Sequence, residues 1–294
     1  MRSHLREKKQ LLGGVLCTAC AVVWGSGFVV MKEGLNLLPP SLLLATRFLG
    51  AFAVLCPVFA GRLRRMTAAT LRHGLLVGVV LAAAYLAQTY GLDATTPGKN
   101  AFLTAIYCVL VPFVAWLLTG RRPSGRNLGA GLLCALGIGL ISLQGSFRIG
   151  AGDALSLLCG LLFAFQVALL GLFNSEDDPI LMTILQMGTA GGICLAVGLA
   201  TEPLPSSFPT SGVPLLLYLV LAATVLTNVM QNIGQGLISS SAAALLLSLE
   251  SVFGTLFSVL FYGERLSARV LAGFAAVLAA VLVSQLPSRG AAKE

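Results

Sequence analysis

The sequence predicts an all-α membrane protein with ten transmembrane helices, arranged as two inverted five-helix repeats. The first reason is composition: 57% of the 294 residues are hydrophobic and 10% are charged, whereas soluble domains carry about a quarter charged residues. The second reason is that the apolar residues form ten runs, each near the ~20 residues that a membrane-spanning helix needs. The third is an internal sequence repeat, or echo: segment 120–129 resembles segment 263–272, which lies 143 residues later. Such an echo is typical of membrane proteins built from a duplicated helical unit.

Polar or Pro/Gly-rich breaks separate the ten runs and define the elements in order. The runs of the first half cover residues 11–31, 41–60, 73–92, 99–119 and 127–144. Those of the second half cover residues 153–173, 180–200, 213–235, 241–262 and 269–286. The first run is too long for the apolar core of a signal peptide, so it is predicted as a retained helix. We therefore expect a basic tail at 1–10, a first repeat at 11–145, a second repeat at 153–286 and a tail at 287–294.

Lysine and arginine set the predicted orientation, because positively charged loops tend to stay in the cytoplasm. With the N-terminus inside, 13 of the 19 basic residues lie in inside segments and five in outside segments, while Arg47 lies within a run. Both termini are therefore expected in the cytoplasm, with the chain in the cell inner (plasma) membrane. Since each half has five runs, an odd number, the second half must enter the membrane upside down relative to the first.

Charge, cysteine and glycine usage limit the kinds of ligand and macromolecule that we expect this chain to bind. The net charge of +8 comes from residues at the ends of apolar runs, so no nucleic-acid partner is expected. All seven cysteines lie in apolar runs without metal-ligand spacing, and neither a metal site, a cofactor nor a catalytic constellation is predicted. The glycine pairs Gly74–Gly78, Gly125–Gly129 and Gly188–Gly192 suit close helix packing in a membrane. Either a monomer or a homodimer is compatible with these glycine faces.

Several short motifs occur in order along the chain. They are Trp24-Gly25-Ser26-Gly27-Phe28, Leu37-Leu38-Pro39-Pro40, Thr46-Arg47-Phe48, Pro97-Gly98-Lys99-Asn100-Ala101-Phe102-Leu103, Leu249-Glu250-Ser251-Val252-Phe253 and Tyr262-Gly263-Glu264-Arg265-Leu266. In this order the chain resembles the EamA-type branch of the drug/metabolite transporter superfamily from about residue 11 to residue 286. The resemblance implies secondary transport of small metabolites, often export. Family members often have proline after the glutamate of the ninth helix, where this chain has Ser251, so a straighter helix is expected there.

Polar and aromatic residues inside the runs are the candidates for a central cavity, since polar groups facing lipid would be costly. The third and eighth runs carry polar stripes at equivalent places in the two repeats, and helix–helix hydrogen bonding is the alternative for each stripe. Aromatic residues of the first and sixth runs and a line of residues on the fourth run are further candidates, with ordinary helix packing as the alternative for the aromatic residues. The predicted cavity residues are Trp24, Ser26, Phe28, Tyr85, Gln88, Thr89, Asn100, Thr104, Tyr107, Phe163, Gln166, Asn228, Gln231, Asn232 and Gln235.

Two formal charges lie well inside the runs, Arg47 and Glu250. Such charges cost roughly 2.5–3.5 kcal/mol on insertion scales and face the interior of a bundle. Glu250 is the candidate for a proton-coupled carboxylate, with a structural hydrogen-bonding role as the alternative. Arg47 lies about seven residues into its helix, so it can extend toward the interface, and a structural or gating role is expected for it.

These observations predict a secondary active transporter of small organic metabolites that rocks its repeats around the cavity. Amino acids or related amphiphilic solutes are the expected substrates, with membrane lipids and protons as the other partners. A gradient-independent facilitator or exchanger is the main alternative. A membrane-embedded lipid enzyme and a purely structural subunit are the other classes, and no nucleophile cluster favours an enzyme.

Overall fold

The computed structural model describes residues 2–95, 97–142, 150–174, 176–205, 209–262 and 267–285, and all regular structure in this part of the chain is helical. The predicted tail at 287–294 lies outside the described residues. So do residues 143–149, which include the end of the predicted fifth run and part of the break after it, and residues 263–266 of the break before the tenth run. The predicted tail at 1–10 is continuous with the first helix, which begins at Arg2.

The helices follow the predicted runs closely. In the first half they are α1 (Arg2–Gly34), α2 (Pro40–Val58), the short α3 (Ala60–Leu63), α4 (Ala68–Asp93), α5 (Pro97–Thr104), α6 (Tyr107–Thr119) and α7 (Gly125–Ser142). In the second half they are α8 (Ala151–Phe173), α9 (Pro179–Thr201), α10 (Val213–Leu217), α11 (Thr227–Gln235), α12 (Ser240–Leu247), α13 (Glu250–Tyr262) and α14 (Ala268–Gln285). A π-helical stretch, Tyr218–Leu226, joins α10 to α11.

Within the described residues, seven segments are long and apolar enough to cross a membrane. They are Glu7–Gly34, Pro40–Val58, Ala68–Asp93, Ala151–Phe173, Pro179–Thr201, Thr210–Gln235 and Ser240–Phe261. Three shorter apolar helices, Tyr107–Thr119, Gly125–Leu140 and Leu271–Val283, lie at the other predicted positions. The predicted count of ten spans is therefore not reached on length. The fourth run falls short because its helix is interrupted between Thr104 and Tyr107.

Local capping explains where several helices begin. Thr67 accepts a hydrogen bond from the N–H of Thr70 and starts α4, and Ser239 accepts one from Ala242 and starts α12. The Asp178 carboxylate accepts the N–H of Ile180 at 2.8 Å, with proline at the first helical position. These side chains satisfy N–H groups that have no partner within their own helix.

The helices pack into two large apolar cores and one small cluster of Val77, Leu169, Leu170 and Met182, and each large core combines helices from both halves of the chain. One core contains α6 and α7 together with α8, α12, α13 and α14. The other contains α2 and α4 together with α9 and the π-helical stretch. Helix α1 contributes to both cores. The halves are therefore interleaved rather than folded as two separate bodies.

Close glycine contacts hold these interleaved helices together at some predicted positions and not at others. A Cβ atom at Gly74 would lie 2.5 Å from side-chain atoms of Leu185, and one at Gly78 would lie 2.5 Å from Cβ of Thr189. The backbones of α4 and α9 can approach this closely only because these side chains are absent. In contrast, Gly125 and Gly129 have no atom within 4 Å of such a Cβ, so that predicted pair packs against nothing within the described residues.

Candidate functional site

A cavity lies between the two apolar cores. Its empty volume is about 610 Å³, including open solvent at its edge. Eleven of the residues singled out in the sequence line it: Trp24, Phe28, Arg47, Tyr85, Gln88, Thr89, Tyr107, Phe163, Gln166, Gln231 and Glu250.

Five further residues line the same cavity, and sequence reasoning did not select them. They are Gly27, Met31, Leu92, Val167 and Leu247. None of the five has a polar side chain that would distinguish it within an apolar run. Helical spacing offered a signal for the first two, because residues three and four positions apart share a helix face, and Gly27 and Met31 stand in this relation to Trp24 and Phe28.

Six predicted cavity residues do not line it. The hydroxyl of Ser26 donates to the carbonyl of Val23 at 2.8 Å. The Asn100 amide donates to the Ser156 hydroxyl at 2.8 Å, and Thr104 donates to Cys159 Sγ at 3.7 Å. These contacts satisfy polar groups that would otherwise be unpaired in an apolar interior.

The polar stripe of the eighth run is divided between two uses. Gln231 faces the cavity, whereas Asn228, Asn232 and Gln235 donate to the carbonyls of Thr224, Asn228 and Val167 at 2.9, 2.9 and 3.1 Å. Gln231 therefore fits the cavity interpretation and Gln235 the helix–helix interpretation, whereas the bonds that Asn228 and Asn232 donate stay within their own helix.

Carboxamide side chains form a buried chain of hydrogen bonds that begins at the cavity wall. Gln231 donates to Gln166 at 3.4 Å, Gln166 donates to Gln186 at 3.3 Å, and Gln186 donates to Asn232 at 3.3 Å. Asn174, at the end of α8, donates to the same Asn232 oxygen at 3.3 Å. A continuous polar seam thus runs between α8, α9 and α11, from the cavity to the end of α8.

Glu250 lies at the start of α13, where the ninth predicted run is interrupted after Leu247. The α-helical pattern is interrupted here although Ser251 stands where family members often have proline; the expectation of a straighter helix stays a prediction. Glu250 is 6% exposed, and its Oε1 accepts a hydrogen bond from the Tyr107 hydroxyl at 3.4 Å. Tyr107 starts α6 after the other helix break. The two residues are 143 positions apart, the same spacing as the echo, so two equivalent breaks meet at the cavity.

Arg47 is buried in α2 with 6% of its surface exposed, so it does not extend to the interface. Its Nε donates to Thr224 Oγ1 at 2.5 Å, and its Nη2 donates to the carbonyl oxygen of Ala223 at 2.7 Å. Both acceptors belong to the π-helical stretch. The same Ala223 oxygen accepts from Trp24 Nε1 at 3.2 Å and from Thr227 Oγ1 at 2.9 Å. The π-helical stretch around these acceptors was not predicted, because π-helical winding leaves no simple sequence pattern.

Aromatic rings connect the two charged residues along one wall of the cavity. The Arg47 guanidinium carbon lies 4.9 Å from the centroid of the Tyr85 ring, a distance typical of cation–π contact. The Tyr85 and Phe163 centroids are 5.2 Å apart, and those of Phe163 and Tyr107 are 6.3 Å apart. Tyr107 in turn contacts Glu250. The cavity therefore has a cationic end, an acidic end and an aromatic surface between them.

Polar clusters that join the two halves flank the cavity at both ends of the bundle. Near the start of α4, the Asp177 carboxylate accepts from Thr70 Oγ1 at 2.6 Å and hydrogen-bonds His73 Nδ1 at 2.7 Å. Beside it, Arg62 pairs with Asp178 at 2.6 Å. These contacts connect the α2–α4 region to the turn between α8 and α9.

At the opposite end, Glu202 follows α9 and caps α2. Its carboxylate accepts the N–H groups of Ser41 and Leu42 at 2.8 and 3.0 Å and the Tyr90 hydroxyl at 2.6 Å. Burial raises the pKa of Glu202, but the hydrogen bonds from Tyr90, Ser41 and Leu42 together bring that pKa below its ordinary value of 4.5. The cap therefore favours the ionised carboxylate.

A multi-helix bundle with a polar, aromatic cavity between two cores is the architecture of a membrane transporter. Comparison with known proteins agrees. The profile of the EamA-like transporter family matches this chain twice, over residues 11–143 and 150–285. The chain belongs to the EamA-like transporter family, within the drug/metabolite transporter superfamily. It is a multi-pass membrane protein.

Individual relatives carry transporter names. An uncharacterized transporter of Archaeoglobus fulgidus is 29% identical over 265 residues, which cover 88% of this chain and 81% of the relative. A probable amino-acid metabolite efflux pump of Escherichia coli is 28% identical over 165 residues, which cover 55% of this chain and 53% of the relative. One solved crystal structure, 15% identical, covers 93% of this chain and 96% of its own length with a TM-score of 0.76, which shows the fold alone.

Proposed function

We propose that this protein is a secondary active transporter that moves small organic metabolites by alternating access. The observation that carries the proposal is the cavity itself, in which a buried cation and a buried acid lie between two apolar cores. Charges within a membrane are costly and mark substrate or ion pathways. Amino acids or related amphiphilic solutes fit a cavity lined by aromatic rings and carboxamides.

The interleaved packing suggests which parts would move. Each apolar core contains helices from both halves, so the two cores, rather than the two repeats, are the units that would rock against each other. Helix α1 contributes to both cores, and the residues at the two helix breaks, Ala105 and Leu249, belong to the core that contains α6. The carboxamide seam from Gln231 to Asn174 supplies polar groups that would line the cavity when it opens toward the end of α8.

Glu250 is the proposed coupling residue. Among the described residues its carboxylate accepts one hydrogen bond, from Tyr107 at 3.4 Å, and no basic side chain lies within 4.0 Å of it. A carboxylate in such surroundings requires a proton or a cationic partner to neutralise it. The titratable groups that line the cavity with it are Tyr107, Tyr85 and Arg47, and Cys20 and Cys159 lie nearby.

Export is the proposed direction, from the cytoplasm across the inner membrane, with both termini inside. Positive loops favour this orientation, and a relative is named as a probable amino-acid metabolite efflux pump. In this orientation the polar cluster around Asp177 faces the cytoplasm and the Glu202 cap faces outward.

The test is flux into proteoliposomes that contain the full chain, with a panel of radiolabelled amino acids and related solutes. Accumulation against a concentration gradient when a pH gradient is imposed supports active, proton-coupled transport. Flux that only equilibrates solutes supports the gradient-independent facilitator or exchanger instead. Folded protein that moves no solute in the panel would count against transport.

The coupling role is tested by Glu250→Gln, which keeps the size of the side chain and removes its charge. We expect the variant to lose uphill accumulation while it retains exchange of solute across the membrane. Glu176→Gln is the matched control, because Glu176 is exposed in the turn between α8 and α9. Uphill accumulation at the normal level in Glu250→Gln would refute the coupling role.

A further inference from the structure

We propose that two glycine contacts, one at each end of the cavity, are the alternating gates of this transporter. One contact joins α4 to α8 through Gly91 and Gly152, and the other joins α11 to α1 through Gly234 and Gly13. The inference rests on the proposed alternating-access function and names where the cavity opens and closes. A gate here means a contact that must separate before a solute reaches the cavity from that side.

The α4–α8 contact is too close for a side chain at either glycine. A Cβ atom at Gly91 would lie 2.9 Å from Ser156 Oγ and 3.0 Å from the carbonyl oxygen of Gly152. A Cβ atom at Gly152 would lie 2.9 Å from the Cβ of Ala94. The amide of Asn100, in α5, also ties this contact, because it donates to the Ser156 hydroxyl at 2.8 Å.

The α1–α11 contact has the same form. A Cβ atom at Gly234 would lie 3.0 Å from Cys17 Sγ and 3.1 Å from the carbonyl oxygen of Gly13. A Cβ atom at Gly13 would lie 3.0 Å from the Cβ of Leu237. In both contacts, therefore, the backbones of two helices touch because the side chains are absent.

The two contacts are equivalent under the internal repeat. Gly91 and Gly234 are 143 positions apart, which is the spacing of the echo, and Gly13 and Gly152 are 139 positions apart. Residues that line the cavity are related by the same two spacings: Trp24 with Phe163, Gly27 with Gln166, Phe28 with Val167, and Gln88 with Gln231. The duplicated unit thus builds the same contact twice.

The two contacts lie at opposite ends of the bundle. Lys32 Nζ, at the end of α1, donates to the carbonyl oxygen of Leu92 at 2.8 Å, so the neighbouring Gly91 lies level with the end of α1. Gly13 lies nineteen residues before Lys32, which is about 28 Å of helix. In the proposed orientation the α4–α8 contact faces outward and the α1–α11 contact faces the cytoplasm.

Each contact also joins the two large apolar cores. Leu92, next to Gly91, belongs to the core that contains α2 and α4, whereas α8 belongs to the core that contains α6. Ile233, next to Gly234, packs against the α2–α4 core, whereas Cys17 belongs to the α6 core. When one core tilts against the other, the contact at one end separates while the contact at the other end stays closed. The cavity then opens to one side only.

Thiol labelling tests this assignment, because Cys17 already lies in one gate. Ser156, 139 positions later, has the equivalent place in the other gate, and Ser156→Cys puts a thiol there. Both positions are 0% exposed, so each thiol reacts with a maleimide only when its own gate opens. Peptide mass spectrometry of the full chain in detergent measures the rates at positions 17 and 156 separately from those at the other cysteines.

Gly91→Ala, made together with Ser156→Cys, should hold the α4–α8 gate open. We expect it to raise the labelling rate at position 156 about tenfold and to lower the rate at Cys17, because overpacking disfavours the state that keeps the close contact. Gly234→Ala should have the reverse effect. Gly14→Ala is the matched control, since its Cβ would meet one atom at 3.8 Å, and it should change neither rate. A rise at both positions, or no change at either, in the Gly91 and Gly234 variants would overturn the proposal.

A second variant keeps the proposal falsifiable if the alanine variants do not fold. Asn100→Ala, with Ser156 unchanged, removes a tie of the α4–α8 gate without adding volume. Loss of one hydrogen bond should lower the labelling rate at Cys17 about threefold, although Cys17 lies at the opposite end of the bundle. General loosening of the structure would raise that rate. An unchanged or raised rate at Cys17 therefore refutes the coupling of the two gates.

Labelling separates the gates from the transport function, because it needs no substrate. If the two rates change in opposite directions but no solute moves in the flux assay, the gates stand and the transport function fails. If solutes move but the two rates do not change in opposite directions, the transport function stands and this assignment of the gates fails.

Discussion

Replacing Glu202 removes the cap that the second half of the chain places on α2. Helix α2 begins with Pro39 and Pro40, and no side chain of its own first turn caps it. The Glu202 carboxylate instead accepts the N–H groups of Ser41 and Leu42 and the Tyr90 hydroxyl. In Glu202→Gln, one amide oxygen remains to accept, and the NH2 group faces a backbone donor. The variant therefore loses one acceptor and the charge that favours a helix N-terminus.

The expected magnitude follows from these contacts. Loss of a helix cap costs about 0.5–2 kcal/mol, and hydrogen bonds to a charged group contribute about 1.5–3 kcal/mol. Glu202 is partly exposed, so water replaces part of what is lost. We therefore expect Glu202→Gln to lower the free energy of unfolding by about 1–2 kcal/mol at pH 7. For a chain of this size this corresponds to about 2–4 °C in Tm.

The Tm difference between wild type and Glu202→Gln should depend on pH in a definite direction. Because the folded-state pKa of Glu202 lies below its ordinary value of 4.5, its stabilisation is complete above that value and is lost as the pH falls through the folded pKa. The Tm difference between wild type and Glu202→Gln should therefore be largest at pH 7 and shrink at pH 4 and below. Thermal unfolding in detergent measures it, with the exposed Glu176→Gln as control. A difference that is constant from pH 7 to pH 3, or an equal loss in Glu176→Gln, would refute this reasoning.

Two further substitutions test how the halves are held together. Gly78→Ala should lower the free energy of unfolding by about 1–3 kcal/mol, because the added Cβ would lie 2.5 Å from Thr189. Gly129→Ala is the control: its Cβ would have no atom within 4 Å, so the change should be neutral or stabilising. Equal Tm changes in the two variants would contradict the packing argument. Asp177→Asn should lower the free energy of unfolding by about 1–2 kcal/mol, since the carboxylate hydrogen-bonds both Thr70 and His73. Unchanged thermal unfolding would contradict this prediction.

Much of the architecture could be predicted because it depends on local properties of the chain. Length and polarity of each run locate the helices, and Ser239 and Asp178 mark helix starts through short-range hydrogen bonds. The two helix breaks were not predicted. Their 143-residue separation equals the spacing of the echo, so an alignment of the two halves could have placed Tyr107 opposite Glu250.

The candidate cavity was predicted in part, and the reason is geometric. Polarity within an apolar run shows that a side chain must avoid lipid, and this holds for Gln231 and for Asn232. It does not show whether the side chain meets a cavity or a backbone carbonyl. Gln231 lines the cavity, and Asn232 donates to Asn228, although the two residues are adjacent in sequence.

The amino-acid sequence by itself determined that this chain lies in a membrane, that it is helical, and that its second half repeats its first. Those properties follow from composition and from patterns within about 20 residues. Only the tertiary structure decided that Arg47 binds the carbonyl of Ala223, 176 positions away, and that Glu202 meets Tyr90, 112 positions away. Such contacts depend on how interleaved helices pack, and no local pattern in the chain encodes which distant polar groups will face each other.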